Sequence, residues 1–133
     1  MKLNPNEMAF RKVYVDLLKA KAITTIFRPG SRLPGTFRSY EPGQRVTIRV
    51  IDKVGADWAN VAPEFVPDFG LQIEIKKVEL LKLGELTANH FEGSSPDIQN
   101  VSALKYHLGV VYNLTPDELS DSALITRTTF VYL

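Results

Sequence analysis

Residues 18–30 read L-K-A-K-A-I-T-T-I-F-R-P-G, and the layout of the whole chain turns on them. A run of helix-forming residues passes into Ile23-Thr24-Thr25-Ile26-Phe27, whose β-branched and aromatic side chains suit a pleated strand, and stops at Pro29-Gly30. A helix therefore delivers the chain into a sheet within a few residues. Lys19, Lys21, Thr24, Thr25 and Arg28 all sit at that junction. Backbone held between two elements keeps such side chains in place while leaving them reachable, which is what a pocket wall requires.

Upstream, Phe10, Val13, Tyr14, Leu17 and Leu18 recur at helical spacing and predict an amphipathic helix over roughly residues 6–20, with Asn4, Pro5 and Asn6 as its capping group. Downstream, Ala22–Arg28 reads as a strand, and residues 29–43 form a long basic loop broken by Pro29-Gly30, Pro34-Gly35 and Pro42-Gly43. Gln44–Ile51 alternates Val46, Ile48 and Val50 with polar residues, and Leu71–Leu83 alternates Leu71, Ile73 and Ile75 with Gln72, Glu74 and Lys76. Both are half-buried strands by that period. Between them, residues 52–70 make a second long connection carrying Trp58, Phe65 and Phe69. Leu86–Phe91 predicts a short helical turn. Ser95-Pro96-Asp97 opens a second helix with Val101, Leu104, Leu108 and Val111 as its buried stripe, and Ala123–Leu133 is a terminal strand. Few helices among several strands predict an α+β fold, with a small, strongly curved sheet or barrel.

The chain has 133 residues, enough for one domain with a real core. Its hydrophobic content of 44% and charged content of 23% are those of an ordinary globular protein. The absence of cysteine excludes disulfides, thiolate chemistry and Cys-ligated zinc. M-K-L-N-P-N-E has no apolar signal core, and no apolar run is long enough to cross a bilayer, so a cytoplasmic location away from membranes is expected. The net charge of +1 conceals a division. Residues 1–50 carry ten Lys/Arg against three acids, net +7, and residues 51–133 carry six against twelve, net −6. Segregation of this kind gives either one basic face suited to a phosphate-bearing ligand or two halves whose charges mix on the folded surface.

In order along the chain, Lys21-x-x-Thr24 followed by Arg28, then Pro42-Gly43-Gln44 before Val46-Thr47-Ile48, form the first part of a recognisable series. The stretch Leu71–Leu86, containing I-E-I-K-K-V-E-L-L-K-L-G-E-L, continues it, and His90-Phe91-Glu92-Gly93-Ser94 precedes a helix that ends at Tyr112. A closing strand ends Phe130-Val131-Tyr132. The series resembles an ASCH domain of the PUA-like superfamily over nearly its full length. The resemblance implies one ASCH/PUA-like domain over residues 1–133, a small β-barrel with two main flanking helices, and a cleft beside the first strand. It implies RNA or a nucleoside-like small molecule as partner, and it includes small bacterial members that hydrolyse N4-acetylcytidine. Carried over by position, their Lys, Thr and Glu are Lys21, Thr24 and Glu92. The chain departs from the pattern in four respects: Lys19 and Ala20 stand where a helix-ending glycine is usual, one extra residue separates Thr from Arg, Gln44 replaces an Asp, and residues 52–70 are longer than a minimal member needs.

The function expected is therefore binding of RNA or a modified nucleoside. Amide hydrolysis of an acylated nucleoside is the enzymatic alternative and a non-catalytic interaction module the third. Lys21, Thr24 and Glu92 are the candidate catalytic residues; Thr25, Arg28, Arg32 and Arg38 are candidate ligand-binding residues. Strand alternation puts Thr24 and Thr25 on opposite faces, so a slip of one residue exchanges them. Arg28 can hold a phosphate bidentately or tie down a loop carboxylate. His90 and His107 lie far apart without a carboxylate set, so no metal is expected, and the absence of a Walker loop or G-x-G-x-x-G motif gives no reason to expect another cofactor. His107 reads as a helix-surface residue, and Trp58, Phe65 and Phe69 as either a stacking lid or loop packing.

Overall fold

The computed structural model describes residues 4–33, 39–56, 61 and 63–133. Eight regular elements follow one another: β1 (Glu7–Arg11), α1 (Val15–Lys19), β2 (Thr25–Pro29), β3 (Arg45–Lys53), β4 (Glu64–Phe65), β5 (Leu71–Lys82), α2 (Val101–Tyr112) and β6 (Leu124–Tyr132). The six strands form one sheet in the order β1-β3-β5-β6-β2, with β4 paired to β3. Pairing is antiparallel except between β1 and β3. Among the described residues no helix is long and apolar enough to cross a membrane.

The α+β class expected from the sequence is what the chain adopts. The helix expected over residues 6–20 is not. Met8 and Phe10 are buried while Glu7 and Ala9 are half-buried, a two-residue period that pairs Glu7–Arg11 with Thr47–Ile51. Asn4 does not cap a helix: its side chain accepts from the Asn6 N–H at 2.9 Å, in a turn that launches β1. The helical spacing is real only farther on. A 3-10 turn over Lys12–Tyr14 leads into α1, which buries Leu18, while Val13 remains 72% exposed.

The longest strand shows how the sheet curves. Ile73, Ile75 and Val78 pack against the same core, although a regular strand would present residue 77 after 75. A bulge between Ile75 and Lys77 supplies the extra residue, shifts the inward face and increases local twist. The curvature brings opposite ends of the sheet together. Phe10 on β1 and Ile26 on β2 belong to one core cluster with Ile48, Val50, Ile73, Ile75 and Phe130. A second cluster, on the other side of the sheet, joins Phe27 and Ile125 to Leu104 and Leu108 of α2. The opposite parity of Ile26 and Phe27 makes β2 the strand that serves both cores.

The two edge strands nevertheless form no backbone ladder with each other. The expected barrel is therefore not closed: the sheet wraps one core but leaves a seam between β1 and β2. Across it, the Arg28 guanidinium donates to the Ala9 carbonyl at 3.4 Å.

The helix-to-strand junction has its own solution to the missing glycine. Lys21 adopts the left-handed conformation, with φ of 56°. Its N–H donates to the Leu18 carbonyl and the Ala22 N–H to the Leu17 carbonyl, both at 2.9 Å, which is the paired bonding that ends a helix in a Schellman turn. Glycine pays no Cβ penalty at that position. Lys21→Gly is expected to stabilise the fold by about 0.5–1 kcal/mol, and Lys21→Ala to leave it nearly unchanged. Urea unfolding midpoints measure both; a destabilised Lys21→Gly would refute the assignment of strain to this residue.

Candidate functional site

The seam opens into a cavity of about 840 Å³. β1 and β2 form two of its walls, the 3-10 turn contributes Tyr14, the segment before α2 contributes Ser94, Ser95 and Ile98, and α2 contributes His107 and Tyr112. The cavity exists because edge strands that share a core but no hydrogen bonds must be held apart by side chains, here Phe10, Tyr14, Ile26 and Phe27.

Of the residues singled out from sequence, Thr25, Arg28 and Arg32 line this cavity. Arg28 is half-buried. Arg32 is held by a side-chain bond to the Pro29 carbonyl at 3.3 Å and lies 5.9 Å from the centre of the Tyr112 ring, in cation–π range. Its N–H also donates to the Thr126 hydroxyl at 2.8 Å. Arg38, like Trp58, falls outside the described residues.

Lys21, Thr24 and Glu92 are not among the residues lining the cavity. Lys21 is exposed at the end of α1, and the Glu92 side chain is exposed in the turn following residues 88–91. Thr24 and Glu92 are nonetheless neighbours through the backbone. The N–H groups of Thr24 and Thr25 both donate to the Gly93 carbonyl, at 2.7 and 3.1 Å, and the Thr25 hydroxyl donates to the Glu92 carbonyl at 2.8 Å. Of the two threonines, Thr25, 3% exposed, lines this cavity and Thr24 does not. Gly93 permits this docking. Its φ is +78°, and a Cβ on it would collide with the Thr24 hydroxyl oxygen.

Sequence reading missed a polar cluster on the α2 side. The Tyr14 hydroxyl donates to the Asp97 carboxylate at 2.9 Å, and Ser95 donates to the other oxygen of the same carboxylate. Burial, reinforced by Asp97, pushes the Tyr14 hydroxyl up to about 12. Burial acts to raise Asp97 too, but the hydroxyls of Ser95 and Tyr14 outweigh it and hold the carboxyl below its ordinary value. His107 is half-buried rather than on the surface. Burial pushes its pKa down; Asp97 opposes this, and Arg11 and Arg28 add to it. The signal for His107 was present: it lies three residues after Leu104 and four before Val111, on the stripe read as buried. Ser95 does not cap the helix as expected; Asn100 does, accepting from the Ala103 N–H at 2.8 Å.

The other sequence features resolve as packing. Phe65 lies in β4 with the Arg49 guanidinium 4.7 Å from its ring centre, and Phe69 packs against the first core. Neither lines the cavity. His90 accepts through its ring from the Thr87 N–H at 2.9 Å and so closes its own turn.

No protein-family model and no curated protein sequence matches this chain. Solved structures do resemble it in fold. A protein of Enterococcus faecalis V583, described by the DUF984 family model, aligns over 89% of this chain and 68% of its own, with TM-score 0.56 and 10% identity. An ASCH domain from Lactobacillus crispatus JV V101 aligns over 91% and 70%, with TM-score 0.54 and 12% identity. A hypothetical protein, PH0355, aligns over 96% and 97%, with TM-score 0.52 and 14% identity. The chain thus has an ASCH-like fold, reached by a sequence that shares few residues with these neighbours.

Two stability measurements test the site's construction. His107 has its folded pKa below its unfolded value of 6.5, so the stability it contributes is present above 6.5 and lost as pH falls through the folded pKa. The Asp97 contribution is lost in the same direction, but only below 3.8. His107→Gln is expected to lose less stability than the parent when pH drops from neutrality to just below 6.5; equal losses would show that His107 is not held neutral by its surroundings. Gly93→Ala is expected to cost about 2 kcal/mol or more, from left-handed strain plus the collision with Thr24. Adding Thr24→Ala should recover part of that loss in urea unfolding, and no recovery would rule the collision out.

Proposed function

We propose that the chain binds RNA or a modified nucleoside in the cleft between β1 and β2. The observation that carries this reading is the cavity in the open seam, about 840 Å³, with arginines and tyrosines on its walls. That volume is in the usual range for a small-molecule site of about 300–1,000 Å³. Basic side chains beside aromatic rings are what a nucleotide demands, since the rings stack a base while the guanidinium groups meet phosphate. Tyr112, with Arg32 already beside its face, and Tyr40, whose hydroxyl donates to the Glu7 carbonyl at 2.7 Å, supply rings fixed in position. Thr25 has spent its hydroxyl proton on the Glu92 carbonyl, so it presents lone pairs and accepts from a ligand N–H. The ASCH-like fold supports the same reading, because RNA-related ligands are what the family resemblance implies.

Hydrolysis of an acylated nucleoside is the second reading. The observation favouring it is the bonding of Thr24 and Thr25 to the Glu92–Gly93 backbone, which holds that segment at the head of the strand that runs into the cavity. In this version water attacks the acetyl carbonyl of N4-acetylcytidine, the C–N bond breaks, and the amine nitrogen takes up a proton as acetate leaves. The resemblance assigns Lys21 to polarise the carbonyl and Glu92 to shuttle the proton, although neither residue lines the cavity.

Fluorescence titration with labelled oligoribonucleotides and a nucleoside panel at low salt tests the binding. Arg28→Ala and Tyr112→Ala are expected to weaken it about tenfold or more, as loss of a phosphate contact or a stacked ring does. No binding to any RNA or nucleoside would leave the chain as a non-catalytic interaction module. Binding of RNA that is unaffected by both substitutions would indicate phosphate attraction elsewhere on the surface. For the second reading, acetate release from N4-acetylcytidine should collapse in Lys21→Ala and Glu92→Ala; unchanged release in both would reject the assigned residues.

A further inference from the structure

Two arginines and a histidine from three elements line the cavity together. Arg28 on β2 reaches across the seam and donates to the Ala9 carbonyl. Ala9 and Arg11 are two residues apart on β1, so their side chains leave the same side of that strand. The Arg28 guanidinium is thereby brought to the stretch of β1 from which Arg11 projects, and both arginines line the cavity. His107 faces them from α2.

Two guanidinium groups brought toward each other repel, and Arg28 is half-buried. The nearby acids compensate for this repulsion only in part, Asp97 favouring the charged form of His107 against the arginines. Glu7 is bound to Arg49 at 2.9 Å, and Asp97 accepts from Tyr14 and Ser95. Among the described residues, neither Arg11 nor Arg28 takes part in an ion pair. The carbonyl of Ala9 is a weak partner for a group with five donors in a fixed fork. What the two arginines lack is an anionic partner of their own among the described residues.

We infer that Arg11, Arg28 and His107 form a subsite for a phosphate group of the bound ligand, so that the cleft selects a nucleotide over the corresponding uncharged nucleoside. This rests on the nucleoside-binding reading above and adds the chemistry of one end of the ligand. The phosphate sits between the two guanidinium groups, with His107 Nδ1 or Nε2 donating from the α2 side. The base points along the cavity toward Tyr112 and Arg32. Burial, with the two arginines adding to it, disfavours the charged imidazole, and a phosphate placed beside His107 opposes both effects, so the imidazole takes up a proton as the phosphate enters. Besides burial, the charged groups that act on this proton are Asp97 before α2, Arg11 on β1 and Arg28 on β2, and Glu7, Arg32 and Tyr14 are the other titratable or charged groups of these neighbouring segments that line the cavity.

Calorimetric titrations with cytidine, cytidine 5′-monophosphate and inorganic phosphate at neutral pH and low salt test the subsite. The monophosphate is expected to bind about tenfold or more tighter than cytidine, as charge-assisted bonds to a phosphate provide, and inorganic phosphate to compete with it. Arg11→Ala should bring the two affinities together, and so should Arg28→Ala. Arg11 is exposed, so its removal tests the idea without risk to the core. Arg45→Ala, an exposed arginine on β3 outside the cavity, should leave the ratio intact. Repeating the titrations in two buffers of different ionisation enthalpy should show proton uptake with the monophosphate that disappears in His107→Gln. Dinucleotides with and without a 5′-phosphate separate the sources: a gain only with the terminal group indicates a nucleotide or RNA end, and an equal gain from the internal diester indicates an RNA chain. Equal affinity for cytidine and its monophosphate, or a preference that survives both arginine substitutions, would overturn the subsite while leaving nucleoside binding intact. Absence of binding by every nucleoside, nucleotide and oligonucleotide would overturn the subsite and the proposed function together.

Discussion

The structure depends on a sheet that closes around a core without closing its hydrogen bonds. Phe10 and Ile26, at opposite edges in strand order, lie in the same apolar cluster, so burial draws β1 and β2 together. A ladder between them would seal a barrel. Parallel pairing of β1 with β3 and antiparallel pairing of β2 with β6 instead leave both outer edges facing the same gap. Unpaired strand edges are a hazard, since their N–H and C=O groups invite another chain. Here the gap is flanked by large side chains and α2, and Arg28 satisfies one of its carbonyls. The cavity is the by-product of a hydrophobic closure that stops short of a hydrogen-bonded one.

That origin explains why the basic half of the chain matters. Both strands bordering the seam come from residues 1–50, which hold ten of the sixteen Lys/Arg residues. Arg11, Arg28 and Arg32 reach the cavity from this half, whereas the lining residues supplied by α2 and the segment before it are uncharged or, in His107, held neutral. The segregation is only partly spent on the cleft. Arg49 pairs with Glu7 and stacks on Phe65, and Lys12 pairs with Asp52 at 2.8 Å. The charge pattern therefore marks the side of the molecule on which the site lies, and strand pairing selects which cations enter it.

Much of this was legible in the residues. Val46, Ile48 and Val50 on β3, and Ile73 and Ile75 on β5, alternate cleanly, and these strands appear within two residues of where the alternation puts them. The N-terminal segment was misread because two periods overlap there: residues 8 and 10 alternate, residues 14 and 18 lie one helical turn apart, and Phe10 serves both patterns. Pairing with β3 decided in favour of the strand, a non-local contact that no window of a few residues contains. β4, with two residues, is too short to carry a period at all. The Tyr14–Asp97–Ser95 cluster was invisible for the same reason, since Tyr14 and Asp97 are 83 positions apart and Tyr14 looked like one more apolar residue on a helix. His107 is the contrary case: its place on the Leu104–Val111 stripe was readable, and the polarity of the residue obscured it.

The junction at residues 18–30 now has a physical explanation for the feature in which it departs from the pattern it resembles. A helix stop without glycine forces Lys21 into the left-handed conformation, and the chain leaves that turn with Ile23 buried and Thr24 and Thr25 both bound through their N–H groups to one carbonyl, that of Gly93. Two consecutive amides on one acceptor pin the strand's starting register, and Gly93 allows the approach because it has no Cβ. From that point alternation leaves no freedom: Ile26 enters one core, Phe27 the other, and Arg28 points into the seam. The same register places Thr25 on the cavity side but commits its only proton to the Glu92 carbonyl. A hydroxyl so engaged is an acceptor and an anchor for the loop before α2, and to act as a nucleophile it would first have to give that bond up. Arg11 and Arg28, which line the same cavity, take part in no ion pair among the described residues, so their guanidinium forks keep donors that Thr25 does not have.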